Sequence, residues 1–177
     1  GGRGRGAAHQ ALTADKDVTL TSVADVFERQ ADGAINNLRK RHPDQVGMPD
    51  RLIGLDAYKK VIEGSDVVIL TTPPGFRPMM LREAIQAGKH VFCEKPVAVD
   101  APGVRSVLES AKMAKEKKLT LVCGFCWRYQ NARRALFQKI HDGAIGDVTS
   151  MFATYYTGPV KPMPSAERHP EGTSDVA

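Results

Sequence analysis

The sequence predicts an α/β protein built on a doubly wound parallel sheet. Two observations carry that reading. Strand-like and helix-like segments alternate at least four times with short connections, as helices on both faces of a parallel sheet require. The clearest strand, Asp66-Val67-Val68-Ile69-Leu70-Thr71, is a continuous apolar run, which suits a strand covered on both sides.

The elements follow in order. Gly1-Gly2-Arg3-Gly4-Arg5-Gly6 reads as a glycine turn, and a helical pattern runs from about Arg5 to Ala14. No apolar strand stands ahead of those glycines, so the sheet is expected to lack its first strand. Val18 to Ala24 has β-branched alternation and reads as a strand ending at Asp25. Val26 to Arg41 is an amphipathic helix stopped by His42-Pro43, because the residue before a proline is pushed out of the helical region. Gln45 to Gly54 reads as a loop hiding a short strand at Arg51 to Ile53, and Asp56 caps a brief helix to Glu63. After the buried strand, Pro73-Pro74-Gly75 makes the turn, Arg77 to Ala87 is helical and Gly88 stops it. His90 to Cys93 is a short strand leading into Glu94-Lys95-Pro96. Asp100 caps a helix through Lys118, Leu119 to Cys123 is a strand, and Asn131 to Asp142 is a helix closed by Gly143.

From Gly146 the character changes. Asp147 to Thr157 is a long β-rich run with no helix after it, read as the first strand of a second, α+β unit that is cut off; Gly158 to Ala177 is a polar, proline-containing tail. The expected domains are therefore 1–145 and the start of another at 146–177.

Composition narrows the function. The 177 residues are 42% hydrophobic and 25% charged, ordinary for a globular protein, and the net charge of +5 is spread among acids on helical segments. A nucleic-acid partner is not expected, although the Gly-Arg opening raises an RNA-binding tail as a rival. No apolar run approaches the roughly 20 residues of a membrane helix. Cys93, Cys123 and Cys126 make an odd set with no secretory signal, so reduced thiols and a cytoplasmic home are expected, the periplasm staying open. Cys123-Gly-Phe-Cys126 has no second ligand pair, so no metal site is expected.

In open α/β sheets ligands bind beyond the carboxyl ends of the strands. The loops there begin at Asp25, Thr72, Cys93 and Gly124, with the glycine turn beside them. Glycines let a backbone approach a pyrophosphate, and the following helix offers free N–H groups. Asp25, about 20 positions beyond Gly4, suits the ribose hydroxyls of NAD and would repel the 2′-phosphate of NADP. The segment Thr71 to Pro74 would run beneath the pyrophosphate and nicotinamide ribose, with Arg77 facing a phosphate or solvent. At Glu94-Lys95-Pro96 an ammonium fixed at a strand end can polarise a substrate oxygen and help move a proton, and the carboxylate can bind ribose. Pro96 locks the turn, in a cis or a trans bond.

The stretch from Asp66 to Ala98, the run Gly124-Phe125-Cys126-Trp127-Arg128-Tyr129 and the run Ile140 to Gly146 resemble the Gfo/Idh/MocA family of oxidoreductases over roughly Gly1 to Met151. The resemblance implies a Rossmann domain and a dehydrogenase passing hydride between NAD or NADP and a sugar, polyol or related carbohydrate, a homo-oligomer when whole. It puts Gly1, Gly2 and Gly4, with Arg3 among them, at the pyrophosphate, Asp25 at the adenine ribose, and Thr72, Pro73 and Pro74 on the nicotinamide side. Glu94 then holds ribose, Lys95 is the catalytic lysine, and Trp127 and Arg128 lie near the nicotinamide. The sequence departs from the family in three respects: the first glycine of the turn is absent, Arg77 stands where many members have histidine, and the remaining catalytic His and Asp are expected beyond Ala177. His141 and His169 do not match that motif. Two rivals remain, a glycosidase of the same superfamily using NAD transiently and a non-catalytic NAD-binding module.

Overall fold

The computed structural model describes residues 1–158. The chain separates into two compact units, Gly1–Arg133 and the residues from Arg134 onward. In the first, helix α1 (Gly2–Ala14) leads to strand β1 (Ser22–Asp25), α2 (Glu28–Arg41), β2 (Asp50–Ile53), α3 (Ala57–Glu63), β3 (Val67–Leu70), α4 (Arg77–Gln86), β4 (His90–Cys93), α5 (Ala101–Glu116) and β5 (Leu121–Cys123). All strand pairs are parallel, as expected of a chain whose strands are separated by helices.

The sheet is in two pieces. β1 pairs with β2, Ser22 opposite Asp50 and Asp25 opposite Ile53, while β3, β4 and β5 form a second sheet in that order. The facing edges of β1 and β3 are not hydrogen-bonded to each other. The two helical layers differ as well. α1 and α2 bury a small cluster of Leu12, Leu38 and Val46. The larger core joins Tyr58 and Ile62 of α3, Val68 and Leu70 of β3, Leu81, Ala84 and Ile85 of α4, and Val91 and Cys93 of β4.

The sequence explains where the elements stop. Asp100 caps α5 by accepting a hydrogen bond from the Gly103 N–H at 2.7 Å. α4 begins with Pro78 in its first turn, where no partner for an N–H is needed, and is followed by Gly88 at φ 76°, a conformation glycine adopts without strain. Asp56 precedes α3 but makes no side-chain cap; its carboxylate pairs with Lys59 instead.

Three expectations need correction. The glycine run is not a turn ahead of a helix, because α1 already starts at Gly2. β1 is shorter than the β-branched run, since Val18 to Thr21 finds only scattered partners, such as Gln45 O accepting from the Leu20 N–H at 2.9 Å. α6 (Asn131–His141), most of which falls in the second unit, leads into a segment with no strand among the described residues through Gly158. The β-rich composition of Asp147 to Thr157 suits a strand, but a strand also needs a partner to pair with, and Val148, Phe152 and Tyr156 are exposed. The rest of the expected tail, with His169, lies outside the described residues.

Candidate functional site

The site forms where α1, β1, β3 and β4 meet at the carboxyl ends of the strands. A Cβ on Gly4 would stand 2.8 Å from the Thr71 Oγ1, so only glycine lets α1 press against the end of β3. Gly1 and Gly2 have open space where a side chain would be, leaving their backbone approachable. The first intrahelical bond of α1 is donated by Arg5 to Gly1, so the N–H groups of Gly2, Arg3 and Gly4 have no helical partner and point out of the positive end of the helix. Asp25 closes β1 beside them. Its Oδ1 accepts from the Phe27 N–H at 3.1 Å, and its Oδ2 lies 2.9 Å from the Gly1 nitrogen.

Glu94 extends β4 by donating its N–H to Leu70 O at 2.9 Å, and its carboxylate is almost fully buried, with a side-chain exposure of 4%. A carboxylate that deep needs partners. Arg3 supplies one through Nε, 2.8 Å from Oε1, and a second contact through Nη2; the Lys95 N–H adds another at 3.2 Å. Gly124 makes the room, since a Cβ there would stand 2.9 Å from Glu94 Oε1. Lys95 follows on the exposed side, and the Lys95-Pro96 bond is cis.

Arg77 faces neither a phosphate nor solvent, the two positions expected of it. It is 5% exposed, and its guanidinium donates from Nε to Thr72 O at 2.6 Å and from Nη1 to Glu94 O at 2.7 Å and to Pro96 O. It staples the end of β3 to the Glu94-Lys95-Pro96 turn, so those donors do not face a ligand. Thr72 donates through Oγ1 to the Met80 sulfur, while Pro73 is exposed and Pro74 half-buried in the turn that follows. Trp127 and Arg128 sit in an exposed 3-10 turn, Cys126–Tyr129, and the Arg133 guanidinium lies 4.2 Å from the Trp127 ring centre.

The cysteines of this region are unlike one another. Burial pushes the Cys93 thiol up to about 11 and raises that of Cys123, whereas Cys126 is exposed. No cluster of metal-ligating side chains occurs among the described residues.

Sequence reasoning missed three contacts: Gly4 against Thr71, Arg3 with Glu94, and Gly124 beneath Glu94. Gly124 was the detectable one, being a glycine directly after a strand facing the Glu-Lys-Pro turn.

Residues 2–125 match the profile of the Gfo/Idh/MocA oxidoreductase family, NAD-binding Rossmann fold. The chain belongs to that family. It is similar to an inositol 2-dehydrogenase of Rhizobium meliloti, 30% identical over 145 residues that make up 82% of this chain and 40% of the relative. An inositol 2-dehydrogenase of Gluconacetobacter diazotrophicus is 35% identical over 130 residues, 72% of this chain and 38% of the relative. This chain thus spans about two fifths of the curated relatives it matches. Among solved structures, scyllo-inositol dehydrogenase from Lactobacillus casei with bound NAD(H) and scyllo-inositol shares the fold, with a TM-score of 0.59 at 23% identity over 80% of this chain and 39% of that one. A putative myo-inositol dehydrogenase from Sinorhizobium meliloti reaches 0.55 at 28% identity, covering 78% of this chain and 38% of that one. The doubly wound Rossmann architecture is therefore the family's own. No helix among the described residues is long and apolar enough to cross a membrane.

Proposed function

We propose that this chain carries the cofactor half of an NAD-dependent dehydrogenase acting on a polyol or sugar, with an inositol as the first substrate to try. The observation that carries the reading is the meeting of three features at one mouth: the open N-terminus of α1, the Asp25 carboxylate, and Glu94 with Lys95. They fit a dinucleotide. The unpartnered N–H groups of Gly2, Arg3 and Gly4 suit a pyrophosphate, and Asp25 suits the adenine ribose. An acid there repels a 2′-phosphate, which favours NAD over NADP. Thr72, Pro73 and Pro74 form the floor between pyrophosphate and nicotinamide, and Glu94 suits the second ribose, with Arg3 positioned to neutralise it in the cofactor's absence. Trp127 and Arg128 border the nicotinamide end. When bound, NAD supplies the hydride acceptor.

Lys95 is the residue of this chain assigned to the chemistry. Its ammonium hydrogen-bonds the reacting hydroxyl oxygen and steadies the charge that grows there as the proton passes to a base, which we assign to the second domain. Arg77 positions it by fastening the backbone on both sides of the turn. We assign the substrate contacts to a second domain beginning near residue 146, and the whole protein to the cytoplasm, in keeping with its free cysteines.

The test uses the full-length protein with myo-inositol and NAD. Lys95→Met should lower kcat at least about a hundredfold while NADH binding stays unchanged. An enzyme that keeps its kcat after that change is not using Lys95, and the assignment falls.

A further inference from the structure

Arg3 serves two places at once. Its backbone N–H is one of the three at the open end of α1, while its side chain crosses to the end of β4, 91 residues further along the chain. There the guanidinium engages a single oxygen. Nε lies 2.8 Å from Glu94 Oε1 and Nη2 contacts the same atom, whereas Oε2 accepts only from the Lys95 N–H, at 3.2 Å. A carboxylate oxygen accepts about two hydrogen bonds, so Oε1 is filled and Oε2 can take one more.

The surroundings hold that division in place. Gly4, next to Arg3, lets the first turn of α1 press against Thr71, and Gly124 lies against the carboxyl, where a Cβ would come within 2.9 Å of Oε1 and 3.2 Å of Oε2. The Arg3 Nη1 rests over Gly6, one turn on, where a Cβ would already touch it at 3.6 Å. Arg77 fastens the Glu94 backbone from the other side. Among the described residues Arg3 is the one cation paired with the carboxylate, and the pair is unequal: the Glu94 side chain is 4% exposed and that of Arg3 50%. Without the arginine, a carboxylate that deep would have to turn outward to find water.

We infer that Arg3 is a positioning residue for the nicotinamide half of the cofactor: by occupying Oε1 it turns the Glu94 carboxyl so that Oε2 meets the hydroxyl of the second ribose. The inference rests on the dinucleotide reading proposed above and deepens it. The contact that neutralises Glu94 without cofactor is the one that orients it with cofactor bound. It also divides the residue's work differently from the family resemblance, which set Arg3 at the pyrophosphate. The backbone N–H stays free for the pyrophosphate, but a guanidinium balanced by a carboxylate adds little attraction for a phosphate beside it. The adenine half of the site, α1 and Asp25, is then indifferent to the Arg3 side chain.

Two probes separate the halves. NADH carries both riboses, and ADP carries the pyrophosphate and the adenine ribose alone. Calorimetric titration of the full-length protein should give an NADH Kd about tenfold higher for Arg3→Met, with the ADP Kd unchanged. Arg3→Lys, which returns a donor to Oε1, should recover part of the NADH affinity. In a Glu94→Ala background, Arg3→Met should change nothing further, because the two residues act as one. Equal losses for NADH and ADP would put the guanidinium on the pyrophosphate and overturn the inference; so would an unchanged NADH Kd, or losses that add in the double variant. In those cases the dinucleotide reading stands. An unsubstituted protein that binds neither NADH nor ADP would remove that reading and this inference with it.

Discussion

Two arginines show how differently the two half-sheets are held. Arg77, on the three-stranded side, is buried and ties three backbone carbonyls from two strand ends. Arg51, on β2, is exposed and holds Glu28 and Asp32 at the surface of α2. One is a fixture of the interior and the other a solvated ion network. The cores match this contrast, a broad cluster beneath β3 and β4 against a small one of Leu12, Leu38 and Val46. On the proposed reading the chemistry falls to the half with the broad core, at Glu94 and Lys95, while the cofactor's other anchor, Asp25, is carried by the half with the small one.

The contrast can be broken at several points. Ile85 and Leu38 are both fully buried, but Leu38 belongs to the small cluster and Ile85 to the main core. Ile85→Ala should cost about 4 kcal/mol and Leu38→Ala about 2 kcal/mol, since a side chain in a small cluster has fewer buried neighbours to lose than one in a broad core; urea unfolding midpoints measure both. Arg77→Met should cost about 3 kcal/mol by stranding buried carbonyls, whereas Arg51→Ala should leave the midpoint where it is. Equal losses for the two arginines would erase the distinction. Asp100→Ala, which removes the α5 cap, should cost about 1 kcal/mol.

The smallest effect is chemical. Because the folded Cys93 thiol lies near 11, above its ordinary value of 9.0, its contribution to stability is complete below about pH 9 and is lost as pH rises toward 11. At pH 8, iodoacetamide should therefore label Cys126 first, Cys123 slowly and Cys93 only on unfolding, as mass spectrometry of the peptides can follow.

Much of the half built on β3 and β4 was legible in the sequence. The apolar run Val67 to Leu70 and the His90 to Cys93 strand both fell where expected, although burial on both faces did not follow for the first: Val68 and Leu70 are buried and Val67 is exposed. The Glu94-Lys95-Pro96 turn was found by its place after such a strand. What escaped detection depends on packing. The charge of Arg77 says nothing of which way the guanidinium turns, and only the strand ends bring Thr72, Glu94 and Pro96 within its reach. The glycines of α1 were read as a turn since glycine weakens helices, yet Gly4 is required inside the helix by Thr71, a residue far along the chain. Asp147 to Thr157 has a strand's composition but pairs with no strand among the described residues, a fact no local pattern records.

We propose that α1, Asp25 and Glu94 together form a dinucleotide site. Titration of the chain with NADH, read by nicotinamide fluorescence, tests it most directly. Saturable binding is expected, stronger than for NADPH, and weakened about tenfold or more by Asp25→Ala or Glu94→Ala, as the loss of charge-assisted hydrogen bonds predicts, but untouched by Arg51→Ala. No saturable binding of either nucleotide, or binding indifferent to Asp25 and Glu94, would contradict it.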